Sequence, residues 1–190
     1  MDNGKVTLLG LLDLSAAFDT VDHDILMKRL NVSYGIGGCV LKWLESFVRG
    51  RTQTVAFNDK QAPMTYLEYG VPQGSVLGPL LFVLYRADIC DIAKSHCVGN
   101  HAYADDQQLY IHCLPHEAST AVSRFTKCFF DIENWMMSSR LKLNTDETEI
   151  IWLGTSQSSV KLMSITFIST TVTSNLALLS GILASSLTVR

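Results

Sequence analysis

Residues 70–82 read GVPQGSVLGPLLF. Its first half is a loop rich in Gly and Pro, and Pro79 is a favourable first residue for a helix. The apolar residues that follow predict a buried helix from Pro79 to about Ile92. Upstream, an almost unbroken apolar run from Val6 to Leu12 ends at Asp13, which is typical of a fully buried strand.

Hairpins and one long helix complete the predicted fold. Asp105-Asp106-Gln107-Gln108 lies between two strand-like runs, which predicts a β-hairpin. Residues 118–136 carry apolar side chains in steps of three and four, and predict an amphipathic helix about 30 Å long. Two further hairpins are predicted, with strands at residues 52–57 and 64–69 and at residues 141–143 and 148–153. This mixture of hairpins and helices predicts an α+β fold.

Three aspartates lie at positions where an ionised carboxylate is energetically unfavourable. Asp13 ends an apolar strand, and burying an isolated charge there is unfavourable. Asp105 and Asp106 lie together at a predicted turn, and three gathered carboxylates repel one another unless a divalent cation neutralises them. The alternative for the Asp-Asp pair is an ordinary turn, because Asp favours turns by itself.

The order of the motifs resembles a known family. Residues 12–19 (LDLSAAFD), 70–82 and 103–106 (YADD) resemble the first three palm motifs of reverse transcriptases from non-LTR (LINE-type) retrotransposons. The resemblance implies a polymerase palm over residues 1–154, an antiparallel sheet made of the catalytic hairpin and the first-motif strand, packed against helices. Residues 155–190 are expected to be a degenerate continuation with a weak primer-grip-like hairpin. The fingers and thumb, expected in a parent polyprotein, are predicted to be largely missing.

The resemblance also implies a catalytic metal site. Asp13, Asp105 and Asp106 are the implied catalytic residues and, together with the backbone carbonyl of Leu14, the implied ligands of two Mg²⁺ ions, for which Mn²⁺ is a substitute. Such ions stabilise the attacking and leaving oxygens of phosphoryl transfer.

Five further residues have implied substrate contacts. Phe18, Gln73 and Gly74 are implied to bind the incoming dNTP, Phe18 as a gate against a ribose 2′-hydroxyl. Pro72 and Tyr103 are implied to contact primer or template. The alternatives are ordinary core packing for Phe18 and a plain turn before a helix for Gln73 and Gly74.

Glu147 departs from the family. Residues 141–149 (LKLNTDETE) resemble the fourth palm motif, in which members commonly carry a lysine at this position. The resemblance assigns that lysine to the pyrophosphate leaving group. Glu147 reverses the charge there, so that a polyphosphate would be repelled and a proton donor lost. Lys142 is a speculative substitute, five residues away.

Composition bears on three predictions: nucleic-acid binding, zinc binding and the cellular compartment. The net charge is −3, which does not indicate a nucleic-acid binder, although the family resemblance implies that the basic surface lies in fingers and thumb. The five cysteines form no C-x-x-C pair, which argues against a zinc site and for buried thiols in a reducing compartment. The polar first residues and short apolar runs predict an intracellular protein of nucleus or cytoplasm, neither secreted nor bound to a membrane.

The predicted function is RNA-directed DNA polymerisation, in which dNTPs are added to a primer 3′-hydroxyl on an RNA template during retrotransposition. Little or no activity is expected from this chain in isolation. One alternative is a non-catalytic, truncated relic of a retrotransposon polymerase. A further alternative is a structural α+β module in which the Asp-Asp turn is incidental.

Overall fold

The computed structural model describes residues 4–154 and the backbone of residues 164–166. The chain divides into two compact units. Unit 1 comprises Met1–Ser15, Asp88–Ser138 and Lys142–Arg190, and unit 2 comprises Ala16–Ala87 and Ser139–Leu141. The predicted boundary at residue 154 stays a prediction, and the predicted hairpin of residues 155–190 lies outside the described residues, apart from one short strand.

The elements are, in chain order, β1 (Val6–Leu14), α1 (His23–Val32), α2 (Gly38–Val48), β2 (Thr52–Gln53), β3 (Ala56–Phe57), β4 (Lys60–Gln61), β5 (Thr65–Tyr66), α3 (Leu77–Tyr85), α4 (Asp88–Ser95), β6 (Gly99–Tyr103), β7 (Asp106–Cys113), α5 (Ala118–Ser138), β8 (Leu143–Leu153) and β9 (Ser164–Thr166). A 3₁₀ turn, Pro115–Glu117, precedes α5. No helix within residues 4–154 is long and apolar enough to span a membrane.

Unit 1 is an antiparallel sheet with helices α4 and α5 packed against it. Its strand order is β6-β7-β1-β8-β9, and β1 pairs antiparallel with both β7 and β8. The predicted α+β class and the predicted sheet, with the first-motif strand beside the Asp-Asp hairpin, are therefore confirmed.

Strand β1 is buried on one face only, so the prediction of a fully buried strand was wrong. Its burial alternates, with the five even-numbered residues from Val6 to Leu14 buried and the odd-numbered ones half-buried. Helix α5 covers the buried face so closely that a Cβ on Gly10 would lie 2.5 Å from Cζ of Phe125. Asp13 belongs to the half-buried set, and this face is the one on which polar chemistry is possible.

Helix α5 matches the predicted amphipathic helix. Phe125, Phe129, Ile132 and Met136 are buried along one side. Burying each of these large side chains contributes roughly 1.5–3 kcal/mol. The helix therefore provides much of the core of unit 1 and packs against the sheet.

The predicted single helix from Pro79 to Ile92 was wrong, because two helices occupy this stretch. Helix α3 ends at Tyr85, and Arg86 follows with φ −100° and ψ 6°, outside helical values. Helix α4 then begins with Asp88 and Asp91 in its first turn, where negative charge is favourable. The apolar pattern continues across the break, and the acidic residues were the overlooked signal.

Unit 2 contains helices α1 to α3 and an exposed hairpin. Asp22 caps α1, since its Oδ1 accepts hydrogen bonds from the backbone N–H of Asp24 at 2.9 Å and of Ile25 at 3.0 Å. The predicted hairpin of residues 52–69 forms only as two short ladders, β2 with β5 and β3 with β4. Its strand residues are all exposed, so no core supports longer strands.

The predicted hairpin of residues 141–153 was also wrong. Strand β8 runs through the predicted turn as one strand with an irregular register. Both of its ends pair with β1, which keeps the strand extended where Asn144, Asp146 and Glu147 suggested a reversal of the chain.

Candidate functional site

A cavity of about 360 Å³ is lined by residues of the three central strands of the sheet of unit 1, β7, β1 and β8. It is lined by Leu11, Leu12, Asp13, Asp106, Gln107, Gln108 and Glu147. Three of these described lining side chains are carboxylates, and none of the seven is a lysine or an arginine. The cavity is therefore strongly acidic.

Asp13 and Asp106 reach this cavity from neighbouring strands. The β1–β7 register pairs Leu12 with Gln107, so one further step brings Asp13 level with Asp106. Asp13 is half-buried and Asp106 is exposed. The structure thus brings together two of the three predicted catalytic carboxylates.

Asp105 lies in the turn itself. Tyr103 pairs with Asp106, which leaves Ala104 and Asp105 as the two residues of the turn, and Ala104 has a left-handed φ of 51°. The predicted β-hairpin is confirmed, with a shorter turn than expected. Asp105 is half-buried and is not among the residues that line the cavity. Tyr103 is 77% exposed, and its predicted contact with primer or template stays a prediction.

Two residues of β8 form hydrogen bonds with Asp13, and neither was predicted from the sequence as a site residue. Asn144 donates a hydrogen bond from Nδ2 to Oδ2 of Asp13 at 2.9 Å. Thr148 Oγ1 accepts from the backbone N–H of Asp13 at 3.4 Å and donates to the backbone oxygen of Asn144 at 2.7 Å. The signal available in the sequence was polar side chains in a strand that is otherwise apolar.

Leu14 is the last residue of β1 and pairs with Leu143. Its side chain is buried in the core of unit 1. The predicted use of its backbone carbonyl as a metal ligand stays a prediction.

The donor set fits Mg²⁺ as an open site that leaves coordination positions for substrate phosphates. Within the described part of the chain, no three His, Cys, Asp or Glu side chains are grouped closely enough to hold an ion. Mg²⁺, however, is usually held by one or two carboxylates together with substrate phosphates rather than in a cage built by protein alone. Asp13 and Asp106, which line one open cavity, match that arrangement.

Phe18 belongs to unit 2 and is half-buried. Its ring lies 4.9 Å from that of Phe82 in α3, tilted by 41°. This contact is the core-packing alternative considered for Phe18, and it also fixes the orientation of the ring. The predicted gating role stays a prediction.

The loop of residues 70–78 is held by its own hydrogen bonds. Gln73 donates from Nε2 to both carboxylate oxygens of Asp19, at 3.1 and 3.2 Å. The backbone oxygen of Pro72 accepts from Ser75 Oγ at 2.6 Å. Gly74 has a left-handed φ of 75°, and no described atom lies within 4 Å of where its Cβ would be. Gln73 and Gly74 are both exposed, and their nucleotide contacts, like that of Pro72, stay predictions.

Unit 2 has an acidic cavity of a different kind, with a volume of about 510 Å³. Asp22 lines it and pairs with Arg140 at 2.9 Å, while Asp24 pairs with Arg49. The hydrogen bond from Arg49 and its charge lower the pKa of Asp24. Here the protein supplies its own cations.

Comparison with known proteins gives consistent matches. The family described as reverse transcriptase (RNA-dependent DNA polymerase) matches residues 1–167. A probable RNA-directed DNA polymerase from transposon X-element of Drosophila melanogaster is 38% identical over 140 residues, 72% of this chain and 15% of that protein. The RNA-directed DNA polymerase from mobile element jockey of Drosophila funebris is 28% identical over 141 residues, 70% of this chain and 15% of that protein.

A solved structure of similar fold supports the architecture. Apo telomerase from Candida tropicalis superposes with a TM-score of 0.61 at 12% identity, covering 85% of this chain and 34% of that one. The fold likeness confirms the predicted palm, and the sequence matches confirm the resemblance to polymerases of non-LTR elements. The chain spans about 15% of the length of the curated relatives it matches.

Proposed function

Because the chain belongs to the reverse transcriptase (RNA-dependent DNA polymerase) family, we propose that it is the catalytic palm of an RNA-directed DNA polymerase. The observation that carries the proposal is the shared cavity of Asp13 and Asp106. Within the described part of the chain, no cationic side chain lines this cavity beside the carboxylates, so an external divalent cation is the natural counter-charge.

Asp13 and Asp106 are the residues that would hold Mg²⁺, with Asp105 available from the adjacent turn. When bound, the two ions supply activation of a primer 3′-hydroxyl and stabilisation of the pyrophosphate that leaves a dNTP. Mn²⁺ is expected to substitute, since it accepts the same oxygen ligands.

The chain's own residues position the substrates. The amide of Gln73 is fixed by Asp19, and its carbonyl oxygen remains available to accept a hydrogen bond from a nucleotide. Gly74 presents backbone without a Cβ, which allows close approach of a base or phosphate. Phe18, braced by Phe82, offers a rigid ring for selection against a 2′-hydroxyl. Pro72 and Tyr103 complete the proposed contacts with primer and template.

The proposed substrates are an RNA template, a DNA primer and dNTPs, and the proposed compartment is nucleus or cytoplasm, where these occur. The test is addition of a single nucleotide to poly(rA)/oligo(dT) by the 190-residue chain with Mn²⁺. We expect at most slow incorporation of dTMP, and any that is detected should be abolished in Asp13→Asn and in Asp106→Asn.

The matched control is Asp146→Asn. Asp146 is exposed, lies on the same strand β8 and does not line the cavity, so the same change of charge should leave incorporation intact. Measurable incorporation that is equal in the unaltered chain and in Asp13→Asn would refute the proposed function.

A second candidate is a non-catalytic relic of such a polymerase. The observation that favours it is Glu147, whose carboxylate lines the cavity that a polyphosphate would have to enter. Binding of Mn²⁺ that depends on Asp13, without any nucleotide addition, would favour this candidate over an active palm.

A further inference from the structure

Strand β8 changes register directly opposite Asp13. Leu11 of β1 pairs with Glu149, and two residues later Asp13 pairs with Asn144, so β8 advances five residues while β1 advances two. Three extra residues of β8 therefore form a bulge at this point, and bulges commonly redirect side chains beside functional sites.

The bulge changes the residue that faces Asp13. A regular antiparallel register continued from Leu11 and Glu149 would place Glu147 opposite Asp13, and like charges directly opposite are destabilising. The bulge instead places Asn144 there, whose Nδ2 donates to Asp13 Oδ2 at 2.9 Å. An ionised carboxylate only accepts hydrogen bonds, so the amide nitrogen must be the atom that faces it.

Thr148 fixes the bulge in this register. Its side chain is buried, and Oγ1 donates to the backbone oxygen of Asn144 at 2.7 Å. The hydroxyl oxygen Oγ1 of Thr148 also accepts a hydrogen bond from the backbone N–H of Asp13 at 3.4 Å. One hydroxyl group thus links both ends of the bulge to the strand that carries Asp13.

We propose that Asn144 is a positioning residue, which holds Oδ2 of Asp13 so that Oδ1 is presented to a divalent cation in the cavity. Among the described residues, Oδ1 receives no hydrogen bond, whereas Oδ2 receives one from Asn144. The inference rests on the proposed function, because it assigns a purpose to the orientation of Asp13. Residues that orient metal ligands typically change metal affinity by about tenfold to a hundredfold when removed.

The test is a titration of the full ¹⁵N-labelled chain with Mn²⁺ alone. Binding is measured as the paramagnetic broadening of the backbone amide signals of Leu12 and Gln107. We expect Asn144→Leu, which preserves much of the volume but removes the donor, to weaken Mn²⁺ binding by about tenfold. Asn144→Ala is the second variant, with the same expected loss, in case leucine perturbs the bulge. The control is Asn134→Leu, at an exposed position of α5.

A double-mutant cycle separates positioning from a merely structural role. In the Asp13→Asn background, Asn144→Leu should leave the residual Mn²⁺ affinity unchanged, because Asn144 acts through the carboxylate that has been removed. Additive losses would show that Asn144 only supports the fold, and would overturn the inference.

The two proposals fail in different ways. Binding of Mn²⁺ that is weakened by Asp13→Asn but is of normal affinity in Asn144→Leu overturns the positioning role and leaves the proposed function standing. Broadening of Leu12 and Gln107 that is identical in the unaltered chain and in Asp13→Asn overturns the proposed metal site itself, and the positioning role with it.

Discussion

Both units of the chain have a cavity lined by acidic side chains, but the charges are balanced differently. In unit 2, Asp22 pairs with Arg140 and Asp24 with Arg49, so two of its three lining acids have arginine partners. In unit 1, Asp13, Asp106 and Glu147 line a cavity to which the residues that the structure describes contribute no lysine or arginine.

The difference separates carboxylates that support the fold from carboxylates that are proposed to bind a cation. An aspartate paired with arginine, or capping a helix, stabilises its surroundings and has little need of a metal ion. Carboxylates gathered without a cation destabilise their surroundings, and such an arrangement persists where an external cation is part of the function. The comparison therefore favours the cavity of unit 1 as the proposed metal site, on grounds separate from the motifs.

The largest expected effect is on metal binding in unit 1. Asp106→Asn should weaken Mn²⁺ binding by about a hundredfold, because it removes one of two ligands that share the cavity. The melting temperature should stay the same or rise, since repulsion with Asp13 is relieved. Mn²⁺ titration and thermal unfolding measure the two quantities. A lower melting temperature beside the weaker Mn²⁺ binding would contradict the contrast between the units, because Asp106 would then stabilise the fold.

The next effect is on the stability of unit 2. Asp22→Ala should lower the free energy of unfolding by about 1–2 kcal/mol, because α1 loses its N-cap. The ion pair with Arg140 adds little, since 59% of the arginine side chain is exposed. Urea unfolding measures the loss, and Mn²⁺ affinity should not change. A loss of Mn²⁺ affinity would mean that acids of unit 2 also serve the metal.

A smaller effect is expected at Glu147. Glu147→Gln should lower the KM for dTTP by about two- to fivefold, because a like charge near the polyphosphate costs about 1 kcal/mol or less in a solvated site. Single-nucleotide addition with varied dTTP measures it, with Glu149→Gln as a control on the same strand. A higher KM would show that Glu147 helps to hold the cation instead.

The smallest effect concerns the pH response of unit 2. The hydrogen bond from Arg49 holds the pKa of Asp24 below its ordinary value of 3.8. A lowered pKa means that this contribution is present above 3.8 and is lost as the pH falls through the folded-state value. Between about pH 5 and about pH 3, the urea midpoint of Asp24→Asn should therefore fall slightly less than that of the unaltered chain. If the urea midpoints of the two proteins fall in parallel with pH, the ion pair of Asp24 with Arg49 does not contribute to stability.

Local pattern predicted the main regular elements of unit 1. The steps of three and four along residues 118–136 predicted α5, and the apolar run before Asp13 predicted β1, although not that only one face is buried. The motifs identified Asp13 and Asp106, which the structure places along one cavity. Sequence reasoning succeeded where the pattern is local, as it is along α5 and β1.

It failed where distant contacts decide the outcome. The polar residues from Asn144 to Glu147 read as a turn, but pairing with β1 across more than a hundred residues keeps them in a bulged strand. The break between α3 and α4 is invisible to apolar periodicity, because Tyr85 and Ile89 are both buried on either side of it. Asn144 was missed for the same reason, since its partner Asp13 is 131 residues away.

The bulge in β8 has a consequence at the level of the gene. The three residues Thr145, Asp146 and Glu147 are the surplus that the register shift accommodates. An in-frame loss of their three codons would let the strand run regularly from Glu149 through Thr148 to Asn144, with Asn144 still facing Asp13. Copies of this element that differ in length at this point can therefore share one scaffold, and they would differ chiefly in the acidity of the cavity.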